Sequence, residues 1–112
     1  MKKVIYNIKN EKGSTVANQF LIIEGTEYTF ISYRTPIAML KASSGVMFLN
    51  RAVFDYSRTT TRHFLNYLEN VLTAEKPTRA MVENWIENGC IPASENCYNT
   101  DITIRLVNEE EL

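Results

Sequence analysis

The sequence predicts an α+β fold: an antiparallel β-sheet of five or six strands with a two-helix hairpin packed on one face. Three observations carry that prediction. Up to residue 50 the apolar residues fall in short runs rich in β-branched and aromatic side chains, separated by polar turns. Beyond residue 60 the period lengthens. Phe64, Tyr67, Leu68, Val71 and Leu72 recur at i, i+3, i+4, i+7 and i+8, which is one apolar stripe on a helix. Near the end Ile102, Ile104 and Leu106 alternate with Thr103 and Arg105, and the period of two returns.

In chain order, Val4, Tyr6 and Ile8 lie on one face of a first strand. Lys9 to Ser14 is polar, contains Gly13 and reads as a loop. Gln19 to Ile23 and Tyr28 to Tyr33 are the next two strands. Glu24-Gly25-Thr26-Glu27 joins them, with Gly25 at the first central position of a type II′ turn. Pro36 interrupts the ladder because it has no N–H to donate. Ile37 to Leu40 resumes as a strand, Ala42 to Gly45 turns the chain, and Val46 to Leu49 returns. Ala38, Met39, Leu40 and Lys41 are good helix formers, so a helix over 36–42 is the alternative. After the first helix, Ala74, Glu75 and Lys76 form a short connection, and Pro77 suits the first position of a second helix. Met81, Val82, Trp85 and Ile86 form its stripe, and Asn88-Gly89 stops it. Trp85, Phe64, Leu68, Val71 and Ile86 are the expected filling between helices and sheet. Residues 92–100 read as loop, and Glu109-Glu110-Glu111 as a frayed tail. The whole is one domain: strands over 1–50, a helical hairpin over 58–89 and a strand over 101–107.

Between the two regimes stands Asp55-Tyr56-Ser57-Arg58-Thr59-Thr60-Thr61-Arg62. Its hydroxyls suit a helix start, where they accept from unpaired N–H groups. Arg58 and Arg62 are four apart and share one helical face. Arg62 is two positions from Phe64, about 200° around the helix, so it points away from the core.

The net charge is -1, but it is unevenly spread. Residues 28–68 carry Arg34, Lys41, Arg51, Arg58 and Arg62 against Asp55 alone, whereas residues 69–112 carry nine acidic and three basic side chains. A basic middle is joined to an acidic end. This is the pattern of two differently solvated faces, or of a charged docking surface. The two cysteines, Cys90 and Cys97, lack a C-x-x-C spacing and are expected as free thiols. No apolar run reaches the length of a membrane span, and Asn7, Lys9 and Asn10 break any leader, so the expected location is the cytoplasm.

The inventory for catalysis is thin. His63 is the only histidine, so a triad would have to join it to Ser57 and Asp55. There is no G-x-S-x-G, Walker A or H-E-x-x-H motif. Glu83 and Glu87 share a helical face, where carboxylates are usually just solvated. The reading is a non-enzyme without cofactor or metal. For nucleic acid, Tyr28, Phe30, Tyr33, Phe48, Phe54 and Tyr56 interleave with the basic residues of 28–62 and could stack bases beside phosphate-binding arginines. The same aromatics suit a core equally well. For protein binding, Arg58, Arg62, Tyr56 and Trp85 are residue types enriched at interface hot spots.

Asn18-Gln19-Phe20 with Ile22-Ile23, Phe30-Ile31-Ser32-Tyr33 with Ile37-Ala38, and Asp55-Tyr56-Ser57-Arg58-Thr59-Thr60 together resemble a small uncharacterised domain of bacterial phage and mobile-element proteins. The resemblance spans residues 18–65. It implies a genetic setting and no mechanism. The expectation is a phage or mobile-element protein in the cytoplasm of a bacterial host that binds a host protein or nucleoprotein complex. An inhibitor of a bacterial defence system, of the anti-CRISPR kind, is its sharpest form. The alternative is a small nucleic-acid-binding accessory protein. The partner-binding residues expected are Arg58, Arg62, Tyr56, Arg51 and Arg34.

Overall fold

The computed structural model describes residues 2–9, 12–51, 58–73 and 75–112, with the side chains of Arg58 and Thr59 outside that description. It is α+β. Among the described residues there are seven strands in one sheet and two α-helices. The strands are β1 (Lys3–Lys9), β2 (Thr15–Glu24), β3 (Glu27–Ser32), β4 (Thr35–Lys41), β5 (Val46–Asn50), β6 (Cys90–Ile91) and β7 (Ile102–Val107). The helices are α1 (Arg58–Val71) and α2 (Arg79–Asn88).

The strand order is β1-β2-β3-β4-β5-β7-β6. The first five strands form an antiparallel meander. β7 then pairs with β5 in parallel, Val46 beside Thr103 and Asn50 beside Val107. A parallel neighbour needs a crossover connection, and the helical segment supplies it. The expectation of a fully antiparallel sheet is corrected at this pair, and the count of five or six strands is raised by β6.

Residues 36–41 lie in β4 as strand, and Ala42 opens a short 3-10 turn. Pro36 sits inside β4, and the register shifts between Phe30 and Ile31 opposite it. This bulge absorbs the missing donor, so Pro36 bends the ladder instead of ending it. Gly25 has φ 62°, as its turn requires. Pro77 does not open α2. Thr78 caps it, its Oγ1 accepting from the Met81 N–H at 3.1 Å.

One sheet face carries the core. Tyr28, Phe30, Ala38, Leu40, Met47, Leu49, Ile102 and Ile104 meet Phe64, Tyr67, Leu68 and Val71 of α1 and Val82 and Trp85 of α2. Ile86 is only partly buried. The helices divide this face: α1 lies over β1 and β3, and α2 packs against β6. The tight helical hairpin expected from a three-residue connection is thereby corrected, since Val71 and Arg79 are joined by a longer segment. Phe30 stacks on Phe64 and Tyr67, with ring centroids 6.2 and 5.5 Å apart, and the Tyr67 hydroxyl donates to the Tyr28 carbonyl. Thus Phe64 and Tyr67 of α1 pack over Tyr28 and Phe30 of β3. The C-terminal residues are not frayed. Glu109–Glu111 is a 3-10 turn held by a Glu111 Oε2 bond from the Asn108 N–H at 2.8 Å.

Candidate functional site

The meander brings distant arginines together. β3 ends, β4 begins, and β5 and β7 end at one edge of the sheet. Tyr33 and Arg34 form the two-residue turn between β3 and β4 there. Both have positive φ, 48° and 73°, the backbone of a type I′ turn. Non-glycine side chains pay in strain for that conformation. The turn is anchored, because the Tyr33 N–H donates to the Asn18 carbonyl at 2.8 Å. Asn18 itself has φ 63°. Tyr33 and Arg34 are exposed.

Arg51 follows β5 at the same edge. Its N–H donates to the Val107 carbonyl at 2.9 Å and its Nη2 to the Leu106 carbonyl at 2.8 Å. Asn50 is buried, and its Nδ2 donates to the Pro36 carbonyl at 2.9 Å. Arg51 is therefore held to the end of β7 both at its backbone and at its guanidinium, beside the Asn50 link to β4. Arg62 is exposed on α1, as the helical period predicts. Tyr56 lies outside the described residues, and so does the side chain of Arg58. Asp55 and Ser57 lie outside them too, so the triad with His63 has no described geometry.

Four buried polar side chains, two on the sheet and two on α1, were not singled out from the sequence. Gln19 Oε1 and Nε2, Ser32 Oγ, Thr61 Oγ1 and Asn66 Nδ2 are buried and make no hydrogen bond to a described residue. Gln19 and Ser32 face each other across β2 and β3. Thr61 and Asn66 are on α1. His63 is buried on the same helix. The only sequence signal was a pair of polar residues, Asn18-Gln19, at the head of an apolar strand.

Among the described residues, the aromatics of 28–62 do not share one surface. Tyr28 and Phe30 belong to the core face. Phe48 is on the opposite face, with the Lys41 ammonium 5.5 Å from its ring centroid. Phe54 is outside the described residues. Glu83 accepts from Arg79, Nε to Oε1 at 2.9 Å, in an exposed ion pair. Among the described residues no cluster of His, Cys, Asp and Glu is placed to hold a metal. Cys90 and Cys97 are free, and burial with Asp101 nearby pushes the Cys90 thiol up. No described helix is long and apolar enough to cross a membrane.

A family model described as a family of unknown function, DUF8033, matches residues 3–84. The chain belongs to this family. The match takes in the first five strands, α1 and the first half of α2. It therefore extends well beyond residues 18–65, on which the resemblance was read. Comparison with curated proteins and with solved structures found no match.

Proposed function

We propose that this protein works by binding another macromolecule through the arginine-bearing edge, without a reaction of its own. The observation that carries the reading is a juxtaposition. What supports it is that Arg34 in the β3–β4 turn and Arg51 after β5 stand at neighbouring strand ends, and the proposal adds the exposed Arg62 of α1 to them. Arg34 sits on a strained, anchored turn, and Arg51 is held by backbone carbonyls. Such fixing lowers the entropy lost when a guanidinium docks. Arg58, next on the helix before Arg62, and Tyr56 belong to the same proposal.

The setting rests on the resemblance to phage and mobile-element proteins. It makes the partner a host protein or nucleoprotein complex in a bacterial cytoplasm, and an anti-CRISPR-like inhibitor of host defence the sharpest form. Direct nucleic-acid binding is the second reading, favoured by the basic edge. The separation of Phe30 and Phe48 onto opposite faces leaves it without a shared stacking platform.

A pull-down from host lysate with identification of the bound species tests the first reading. Arg58→Glu with Arg62→Glu is the matched variant. An isolated exposed charge pair contributes at most about 1 kcal/mol to folding. The same arginines at a desolvated interface are worth about 2 kcal/mol or more. The variant should therefore keep its Tm and lose its partner. Normal binding by the folded variant would move the site elsewhere. A gel shift of naked DNA and RNA at low and high salt tests the second reading.

A further inference from the structure

The two edges of the sheet are built differently. β6 is two residues long and runs straight into a turn, so it offers almost nothing to pair with. β1 is seven residues long and pairs with β2 alone. Among the described residues, its outer row of N–H and C=O groups has no strand beside it. At its centre Ile5 is 60% and Tyr6 52% exposed, on opposite faces of the sheet. Lys3, Lys9 and the register shift between Asn7 and Lys9 guard the ends of this edge, but its middle carries a large aliphatic and a large aromatic with no such guard.

Beside Tyr6, on the helical side, a notch of about 290 Å³ is lined by Tyr6, Ile8, Leu21, Tyr67 and Asn70. It falls short of the ~300–1,000 Å³ typical of small-molecule pockets. It suits a side chain projecting from a strand laid against β1. Pairing along an edge, with alternate side chains entering pockets, is how sheets capture extended segments.

Charge decides the occupant. Lys3 and Lys9 stand at the two ends of the strand, both exposed; neither forms an ion pair with a described residue, though Glu24 of β2 lies opposite Lys3 while Lys9 faces Thr15. In a second copy paired antiparallel over the full strand, Lys3 would lie opposite Lys9 at both ends. Like charges directly opposed are destabilising. We infer that β1 is a docking edge for an extended segment of another protein, apolar at its centre and acidic at its ends, added as an eighth strand. The inference is independent of the arginine edge, and Arg58→Glu with Arg62→Glu leaves this docking intact.

The test uses synthetic seven-residue peptides of alternating Val and Thr, ended by Glu or by Lys. Two further forms of the Glu peptide are N-methylated at alternate residues. Binding is followed by amide hydrogen exchange of residues 3–9 at up to millimolar peptide. The Glu peptide should slow exchange along β1 and bind at least about tenfold tighter than the Lys peptide. One N-methylated form should fail and the other bind, because only alternate peptide N–H groups face the protein. Lys3→Glu with Lys9→Glu should invert the preference for peptide ends. Three results would overturn the inference: no protection of β1, equal binding by both N-methylated forms, or a dimer in sedimentation equilibrium with mutual protection of β1.

Discussion

The two faces of the sheet are written with the same alternation and meet different fates. On the covered face Phe30, Leu40, Met47 and Leu49 are sealed by α1 and α2. On the other face Phe20, Ile22, Ile31, Met39 and Phe48 are equally apolar, yet each remains partly exposed, and Ile5 more so. No described helix covers that face, and the Leu112 side chain lies in a groove there with Ile22, Ile31 and Met39. The difference teaches that apolar periodicity marks a sheet face without saying which of two faces will receive the helices. The first way to break the comparison is Phe64→Ala, which empties the stack on Phe30. It should cost about 3–5 kcal/mol in urea unfolding, as for a fully buried phenylalanine. Phe48→Ala, on the open face, removes a half-buried ring and its contact with the Lys41 ammonium. It should cost about 1–2 kcal/mol. Equal losses at the two sites would mean that both faces are core.

How much of this was legible in the sequence follows from what periodicity encodes. The strand-to-helix change of period placed α1 and α2 and six of the strands, because each element buries one face. β6 was missed because Cys90-Ile91 is too short to show a period and follows directly on the helix stop. The parallel pairing of β5 with β7 was illegible for a different reason: strand order is a property of the whole chain, and no local pattern specifies it. The same holds for the site. Arg34 and Arg51 could be picked out as exposed cations, but their meeting at one edge depends on that order. The Tyr33-Arg34 turn escaped because it uses positive φ without Gly or Asn, whose presence is the usual signal. The burial of Gln19, Ser32, Thr61 and Asn66 was hidden because each residue alone is an ordinary polar position.

A third measurement sharpens the covered face. Burial holds the Tyr67 hydroxyl far above the ordinary value of 10.0, and it raises Tyr98 in the same direction. Tyr98 donates to the Val71 carbonyl at 3.0 Å. Folding therefore keeps these phenols neutral. Below pH 10 they are neutral in both states and their contribution is constant. Above it the unfolded chain loses protons that the folded one retains, so stability falls as pH rises. Tyr67→Phe should cost about 1 kcal/mol at neutral pH through the lost bond to the Tyr28 carbonyl. It should also flatten the decline between pH 10 and 11.5 in urea titrations. A variant whose alkaline decline matches the wild type would place the titrating group elsewhere.

The smallest effect is expected at the C-terminal residue, where the open face has a cover of its own. Leu112 is half-buried, and its N–H donates to the Glu109 carbonyl at 3.1 Å, closing the 3-10 turn. The turn is held in place by the bond between the Asn108 N–H and the Glu111 carboxylate. Its three acidic side chains stay in solvent while the leucine reaches into the groove. Full burial of a leucine is worth about 1.5–3 kcal/mol, and half of it, less the entropy of ordering the turn, leaves about 0.5–1 kcal/mol. Leu112→Ser should lower stability by that amount and raise the binding of a hydrophobic dye to the open face. Glu111→Ala should reproduce part of both changes by loosening the turn, whereas Glu109→Lys should change neither. If Leu112→Ser leaves stability and dye binding untouched, the tail is solvated and the open face stands bare. A loss as large as that of Phe64→Ala would instead make the tail part of a second core.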